Sequence, residues 1–263
     1  MEFLIISLIV FAIAVVMTMS GRGGGNFYVV ALVIAGHSMY EAATTGQFIL
    51  MITALSGMLI FHKHKLVDWK LALIIDPPTD IMAFVGGYFS EYIGGTTLKF
   101  VFSGLLVIAG FLMLMKVNEK PIDKPKTLGY WHRTFGGHSY VVNLWIAIPV
   151  TALVGLASGA LGISGGSFKV PLMVLLCGVP MPIAVGTSSA MVAATALMGF
   201  IGHSASGHFN PQMAIPIAAF ALVGGIIGGK LAVKTKSVHL KKIFAYTTLV
   251  AAVLMAVNAF MAA

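Results

Sequence analysis

Leu161-Gly162-Ile163-Ser164-Gly165-Gly166-Ser167-Phe168-Lys169-Val170-Pro171 breaks a long apolar run with three glycines and then restarts it. Serine caps a helix well. Proline costs little within a first helical turn, where the N–H groups have no intrahelical partner. The spacing predicts one helix that stops at the glycines and a short second helix, 167–178, capped by Ser167. Such a start carries N–H groups and a positive dipole end, which suit an anion. The competing reading is close glycine packing between membrane helices.

Ser20-Gly21-Arg22-Gly23-Gly24-Gly25-Asn26 repeats the pattern, with Asn26 as the expected cap of a short helix over 27–38. Aligning Gly24-Gly25 with Gly165-Gly166 also puts Phe27 on Phe168, Val29 on Val170, Ala43 on Ala184 and His62 on His203. After a one-residue slip, Gly86-Gly87 falls on Gly228-Gly229, Leu98-Lys99 on Leu240-Lys241, Phe102 on Phe244 and Leu112-Met113 on Leu254-Met255. The chain therefore reads as a duplication. Its halves are 1–116 and 142–263, joined by a polar connector, 117–141.

Outward from these breaks the chain is apolar: 59% of residues are hydrophobic and 9% charged. A soluble domain spends about a quarter of its residues on charge, so the expected solvent is lipid. Longer helices are expected at 3–20, 42–61, 70–90, 97–116, 142–161, 183–203, 211–231 and 239–261. With the two short ones this makes about ten membrane helices, five per half. Each short segment supplies only about 16–18 Å of helix, so extended chain such as Val179-Pro180-Met181-Pro182 would span the remainder. The first 20 residues read as a membrane helix rather than a signal peptide, because Glu2 stands where a basic n-region belongs and no cleavage site follows.

The formal charge of +8 sits in short segments between apolar runs, as the positive-inside bias requires. No basic-aromatic nucleic-acid module is present, so nucleic acid is not an expected partner. Lys63, Lys65 and Lys70 crowd one loop, whereas its counterpart 203–210 has no Lys or Arg. Lys230, Lys234, Lys236, Lys241 and Lys242 crowd another, whereas Lys99 in the counterpart is balanced by Glu91. If basic loops stay cytoplasmic, equivalent loops lie on opposite faces. That requires an odd number of crossings per half, hence an inverted repeat with a cytoplasmic connector. The fold class expected is an all-α, multi-pass protein of the inner (plasma) membrane.

Transporters of this plan bind near the midplane where the repeats meet. Candidate substrate-binding residues are Gly24, Gly25, Asn26, Gly165, Gly166 and Ser167 at the breaks. Thr187 and Ser188 open the helix after the proline run, and Gln47 stands in the matching segment of the first half. Interhelical hydrogen bonding is the plain alternative for these hydroxyls. Lys169 either adds positive charge to the site or snorkels to an interface. Asp76 and Asp80, four residues apart around Pro77-Pro78, share a helix face. They are candidates for proton coupling, or else mark a helix break that water reaches. His62-Lys63-His64-Lys65 reads as a solvated loop rather than a metal site, and His203 as interfacial. The sole cysteine, Cys177, reads as a small buried apolar residue. No catalytic residue, metal or cofactor is expected, and the chain is not read as an enzyme.

Gly162-x-x-Gly165-Gly166-x-x-x-Val170-Pro171-Leu172, Ala184-Val185-Gly186-Thr187-Ser188, His203, Gly207, Gly224–Gly229 and Leu240 together resemble the TauE/SafE sulfite-exporter family. The first half resembles it more distantly through Ser20–Asn26 and Thr44–Gln47, with Val30 in place of the motif proline. Asp76-Pro77-Pro78-Thr79-Asp80 lies outside that pattern. The resemblance implies transport of sulfite, an organosulfonate such as sulfoacetate or a related sulfur anion, usually export from the cytoplasm, and the inverted-repeat plan adds alternating access. A passive anion channel and a carrier of another small oxyanion or carboxylate are the alternatives. Direction, coupling and a homodimeric state are left open by the residues.

Overall fold

A computed structural model describes residues 2–90, 95–114, 127–162, 165–205 and 209–261. Glu91, most of the connector, Ile163-Ser164 and Gly207 lie outside the described residues, as do the side chains of Leu98, Lys99, Phe102, Leu112 and Met255. The described chain runs α1 (Glu2–Met19), α2 (Gly25–Ile34), α3 (Met39–Lys63), α4 (Trp69–Ile75), α5 (Pro77–Tyr88), α6 (Gly95–Leu114), β1 (Tyr130–Phe135) and β2 (His138–Asn143). It continues with α7 (Leu144–Leu161), α8 (Gly166–Pro171), a π-helical turn (Leu172–Leu176), α9 (Met181–Ser204), α10 (Pro211–Lys234) and α11 (Ser237–Met261).

Among the described residues, five stretches are long and apolar enough to cross a membrane: Tyr40–Lys63, Leu144–Leu161, Met181–Ser204, Pro211–Lys234 and Ser237–Met261. Gly25–Ile34 and Gly166–Leu176 are short apolar helices, as the glycine breaks predict. Large apolar side chains point outward, with Leu153 at 68% and Leu73 at 71% exposure, while Thr, Ser, Asp and Lys side chains line the interior. Lipid, not water, explains that arrangement.

Local chemistry sets the helix ends. Ser38 and Glu41 form a reciprocal capping box at α3. Asp68 caps α4 by accepting from the Lys70 and Leu71 N–H groups. The helix expected over 70–90 is divided at Asp76, because Pro77 has no N–H to continue the ladder and opens α5 instead. Pro171 likewise ends α8, and the chain widens into the π turn before the left-handed Gly178 (φ 71°). Asn26 and Ser167 are not caps, contrary to expectation. Both lie inside their helices, and Gly24 and Gly165 take the cap positions without a side-chain bond. Gly24 does so at φ 95°, a left-handed conformation that favours glycine, so α2 starts one residue before Asn26.

The connector holds a feature the polar reading missed. Tyr130 pairs with Asn143 through Phe135 with His138 in a two-stranded antiparallel hairpin. Gly136 and Gly137, at φ 60° and 78°, make its two-residue turn. Tyr140 and Val142 pack into the same apolar cluster as Val174, Cys177, Val179, Met181 and Ile183.

Helices pack through small residues. A Cβ at Gly159 of α7 would meet the Ala83 carbonyl oxygen of α5 at 2.1 Å, and one at Gly228 of α10 would meet the Val15 carbonyl oxygen of α1 at 2.3 Å. The pairings come in exchanged sets. α1 packs on α10 as α7 packs on α5, α3 on α10 as α9 on α5, and α2 on α3 as α8 on α9; α3 meets α9, and α6 meets α11.

Candidate functional site

The two glycine breaks meet. A Cβ on Gly166 would lie 3.0 Å from the Arg22 Cα and 3.2 Å from the Gly21 carbonyl oxygen. Gly166 also contacts Val192, halfway along α9. Between the breaks is a cleft of about 150 Å³, lined by Met17, Arg22, Gly24, Gly25, Asn26, Phe27 and Ser167, and nowhere as wide as a water molecule. Four of the residues expected at a substrate site, Gly24, Gly25, Asn26 and Ser167, therefore line one cleft. Gly165 packs against Val154, Ser158 and the Lys169 side chain.

Lys169, three residues beyond Gly166, does not snorkel. It is 1% exposed, and its Nζ lies 2.5 Å from Asp76 Oδ1 and donates to Thr195 Oγ1 at 2.6 Å. Thr195 reaches Asp80 Oδ1 at 2.7 Å. The proline break puts Asp76 at the start of α5 and Asp80 one turn on, so both carboxylates face α8 and α9. Asp76 is buried and Asp80 is half-buried. Lys169 stands about a third of the chain away from the aspartates, and nothing in the sequence pattern joined them.

Gln47 stands apart from the cleft. Its Nε2 donates to the Ser158 carbonyl at 3.5 Å, it packs on Gly199, and its buried Oε1 has no hydrogen-bond partner among the described residues. Ser188 donates to the Gly21 carbonyl at 2.9 Å and so holds the first glycine break in place. Thr187 accepts the Asp68 N–H at 3.0 Å, outside the cleft. His203 is buried rather than interfacial: Nε2 lies 2.8 Å from the Gly159 carbonyl and Nδ1 3.4 Å from Ser90 Oγ. His62 stays exposed, with Trp69 Nε1 donating to its Nδ1.

A second polar cluster was not read from the sequence. Arg133 of β1 grips Asp68 with both ends of its fork, at 2.8 and 3.0 Å, and the Tyr140 hydroxyl of β2 donates to the same carboxylate. Burial pushes the Asp68 carboxyl up, but the bonds from Arg133, Tyr140 and the Leu71 N–H outweigh it and hold it below the usual carboxylate value. Burial and the hydrogen bond to Asp68 hold the Tyr140 hydroxyl well above the ordinary phenol range. With the Asp68 N–H on Thr187, this cluster ties the hairpin to the starts of α4 and α9. The two glycines between aromatic-rich runs were the signal for the hairpin.

Comparison with known proteins agrees with this architecture. The family model described as Sulfite exporter TauE/SafE matches residues 6–255. The chain is 26% identical over 242 residues to the probable membrane transporter protein YunE of Bacillus subtilis (strain 168), covering 88% of this chain and 89% of that protein. It is 23% identical over 257 residues to the probable membrane transporter protein YdhB of the same organism, covering 96% and 99%. A probable membrane transporter protein of Xylella fastidiosa (strain Temecula1) is 25% identical over 213 residues, covering 80% and 76%. No solved structure matches significantly. With a family match over nearly its whole length and glycine breaks that meet inside a multi-pass helical bundle, the chain belongs to the sulfite exporter TauE/SafE family of membrane transporters.

Proposed function

We propose that the protein is a secondary carrier that exports a small sulfur-containing anion, such as sulfite, an organosulfonate or sulfoacetate, across the inner (plasma) membrane by alternating access. The observation that carries this reading is the cleft in which the two breaks meet, lined by Asn26 from one half and Ser167 from the other. The first turn of α2 supplies N–H groups and a positive dipole end there. These donors take the place of the anion's hydration shell. The exchanged helix pairings support an inverted repeat of two five-helix halves, because the most extensive contacts of one half have counterparts in the other. Rocking of one half against the other would open the cleft to each side in turn. A cleft narrower than water favours a carrier over a continuous pore.

Lys169, Asp76, Thr195 and Asp80 form the proposed coupling element. Two carboxylates share one ammonium, so the group carries a net negative charge until a proton neutralises it. Proton uptake on Asp76, or on Asp80 through Thr195, relaxes the hold on Lys169, which lies two residues beyond Ser167 in α8. Purified protein in liposomes should move sulfite, sulfoacetate or thiosulfate with counterflow, and Asp76→Asn should remove the pH dependence of that flux. Absence of flux with all three anions overturns the carrier reading. Flux that stays pH-linked in both Asp76→Asn and Asp80→Asn overturns the coupling element alone.

A further inference from the structure

We infer that the β1–β2 hairpin is the latch of one gate of the carrier, held shut by Arg133 on Asp68 and tied to the cleft by Thr187 and Ser188; this rests on the carrier reading above. The cleft is nowhere as wide as a water molecule, so each of its faces needs a seal that opens. On the hairpin's face that seal is the start of α9. A Cβ on Gly21 of the first break would meet the Val185 carbonyl oxygen at 2.5 Å, and one on Gly186 would meet the Leu66 carbonyl oxygen at 2.5 Å. Thr187 accepts the Asp68 N–H, and its neighbour Ser188 donates to the Gly21 carbonyl. Two adjacent hydroxyls therefore join the residue that Arg133 grips to the break whose next residue lines the cleft.

The other break is sealed without such a cover among the described residues. The repeat alignment pairs Gly162 with Gly21, and Gly162 packs in the same way on α3, where its Cβ would lie 2.5 Å from that of Ala43. The tie across that contact is the Gln47 amide on the Ser158 carbonyl, at 3.5 Å. The connector occurs once, between the halves, so its hairpin reinforces one seal only. A two-stranded hairpin is marginally stable alone, and this one keeps its place through what it touches. Tyr140 and Val142 pack with Cys177, Val179 and Ile183. The charged contact joins Asp68, wholly buried, to Arg133, whose side chain is 20% exposed. Water that reaches the guanidinium competes for it, so this bond holds the hairpin and can also release it. The same bond puts the hairpin on the face of the loop that carries Lys63 and Lys65, the face that basic charge assigns to the cytoplasm.

Cys177, the sole cysteine, is buried in the cluster that Tyr140 and Val142 join, and so reports the lifting of the hairpin. In the purified full chain, well below its melting temperature, Arg133→Gln should speed modification of Cys177 by N-ethylmaleimide about 5- to 10-fold, the factor that a part-exposed charged hydrogen bond supplies. Unchanged labelling overturns the inference. The second arm fixes the latch. In a Cys177→Ser background, Asp68→Cys and Arg133→Cys joined by a bismaleimide should stop counterflow in liposomes of whichever of sulfite, sulfoacetate and thiosulfate the wild type moves, while the same pair left unjoined carries it. Flux that continues through the joined protein overturns the inference, because a gate held shut passes no anion. If the unjoined pair does not fold or carries no flux, the labelling result decides. A wild type that moves none of the three anions overturns the carrier reading and the gate with it, whereas either contrary result in a protein that does move them overturns the gate alone.

Discussion

The two short helices occupy matching places, but their fourth residues differ. Tyr28 of α2 bonds Thr53 of α3 through a neutral pair of hydroxyls, 3.1 Å apart. Lys169 of α8 bonds Thr195 of α9 and is held by Asp76, with Asp80 on the same threonine. The positions matching Asp76 and Asp80 in the alignment are Ala218 and Leu222, so the second helix hairpin faces charge where the first faces none. One scaffold therefore carries two contact types: a fixed one that costs little to keep, and a titratable one buried in lipid-facing protein. Function that needs a switch belongs on the second.

The largest effect should come from breaking that charged pair. Asp76→Ala leaves the Lys169 ammonium buried with less compensation, and removing one partner of a buried pair costs about 3–5 kcal/mol. Denaturant titration in detergent reads it. The sharper form is the double variant Asp76→Ala with Lys169→Tyr, which makes the second half resemble the first. It should be more stable than Asp76→Ala alone, because the partners are coupled. If the double variant loses the sum of both single losses, the pair is not the unit described here.

Next come the glycine contacts that the halves share. Gly159→Ala and Gly228→Ala both drive a methyl group into a backbone oxygen, at 2.1 and 2.3 Å. Overpacking of this kind costs about 1–3 kcal/mol. The two should destabilise by similar amounts if α7·α5 and α1·α10 are equivalent contacts. A large cost for one and none for the other would break the equivalence.

Asp68→Asn should cost about 1 kcal/mol, since Arg133 lies near the surface and solvent screens much of the pairing. The carboxyl titrates lower in the folded protein than unfolded. Its contribution is therefore complete above the unfolded value of about 4 and is lost as pH falls through the folded one. Melting curves of wild type and Asp68→Asn should differ at neutral pH and converge in acid. The smallest effect belongs to the neutral pair: Tyr28→Phe should cost about 0.5–1.5 kcal/mol and leave transport pH dependence unchanged.

Much of this was legible before the structure. Apolar runs placed the long helices within a few residues, because lipid demands continuous helix over each span. The breaks were legible from Gly24-Gly25 and Gly165-Gly166, though Asn26 and Ser167 fell inside the helices rather than on their ends. That error came from giving cap duty to polar side chains where glycines took the cap positions, Gly24 in a left-handed and Gly165 in a right-handed conformation. The meeting of Arg22 with Gly166 and of Lys169 with Asp76 was not legible. Both are contacts between residues far apart in sequence, and a repeat alignment pairs equivalent positions rather than touching ones. Thr187 shows the same limit: its hydroxyl suited a site, but packing delivered the Asp68 N–H to it.

The central claim is that the anion sits where the two glycine breaks meet, and one measurement addresses it directly. Sulfite and sulfoacetate binding should be compared among wild type, Asn26→Leu, Ser167→Val and the loop variant Lys63→Ala/Lys65→Ala. One cleft variant comes from each half, and the loop keeps its charge outside the bundle. The account predicts that both cleft variants weaken binding while the loop variant binds as wild type does. Equal affinity in all four proteins, or a loss confined to the loop variant, would contradict it.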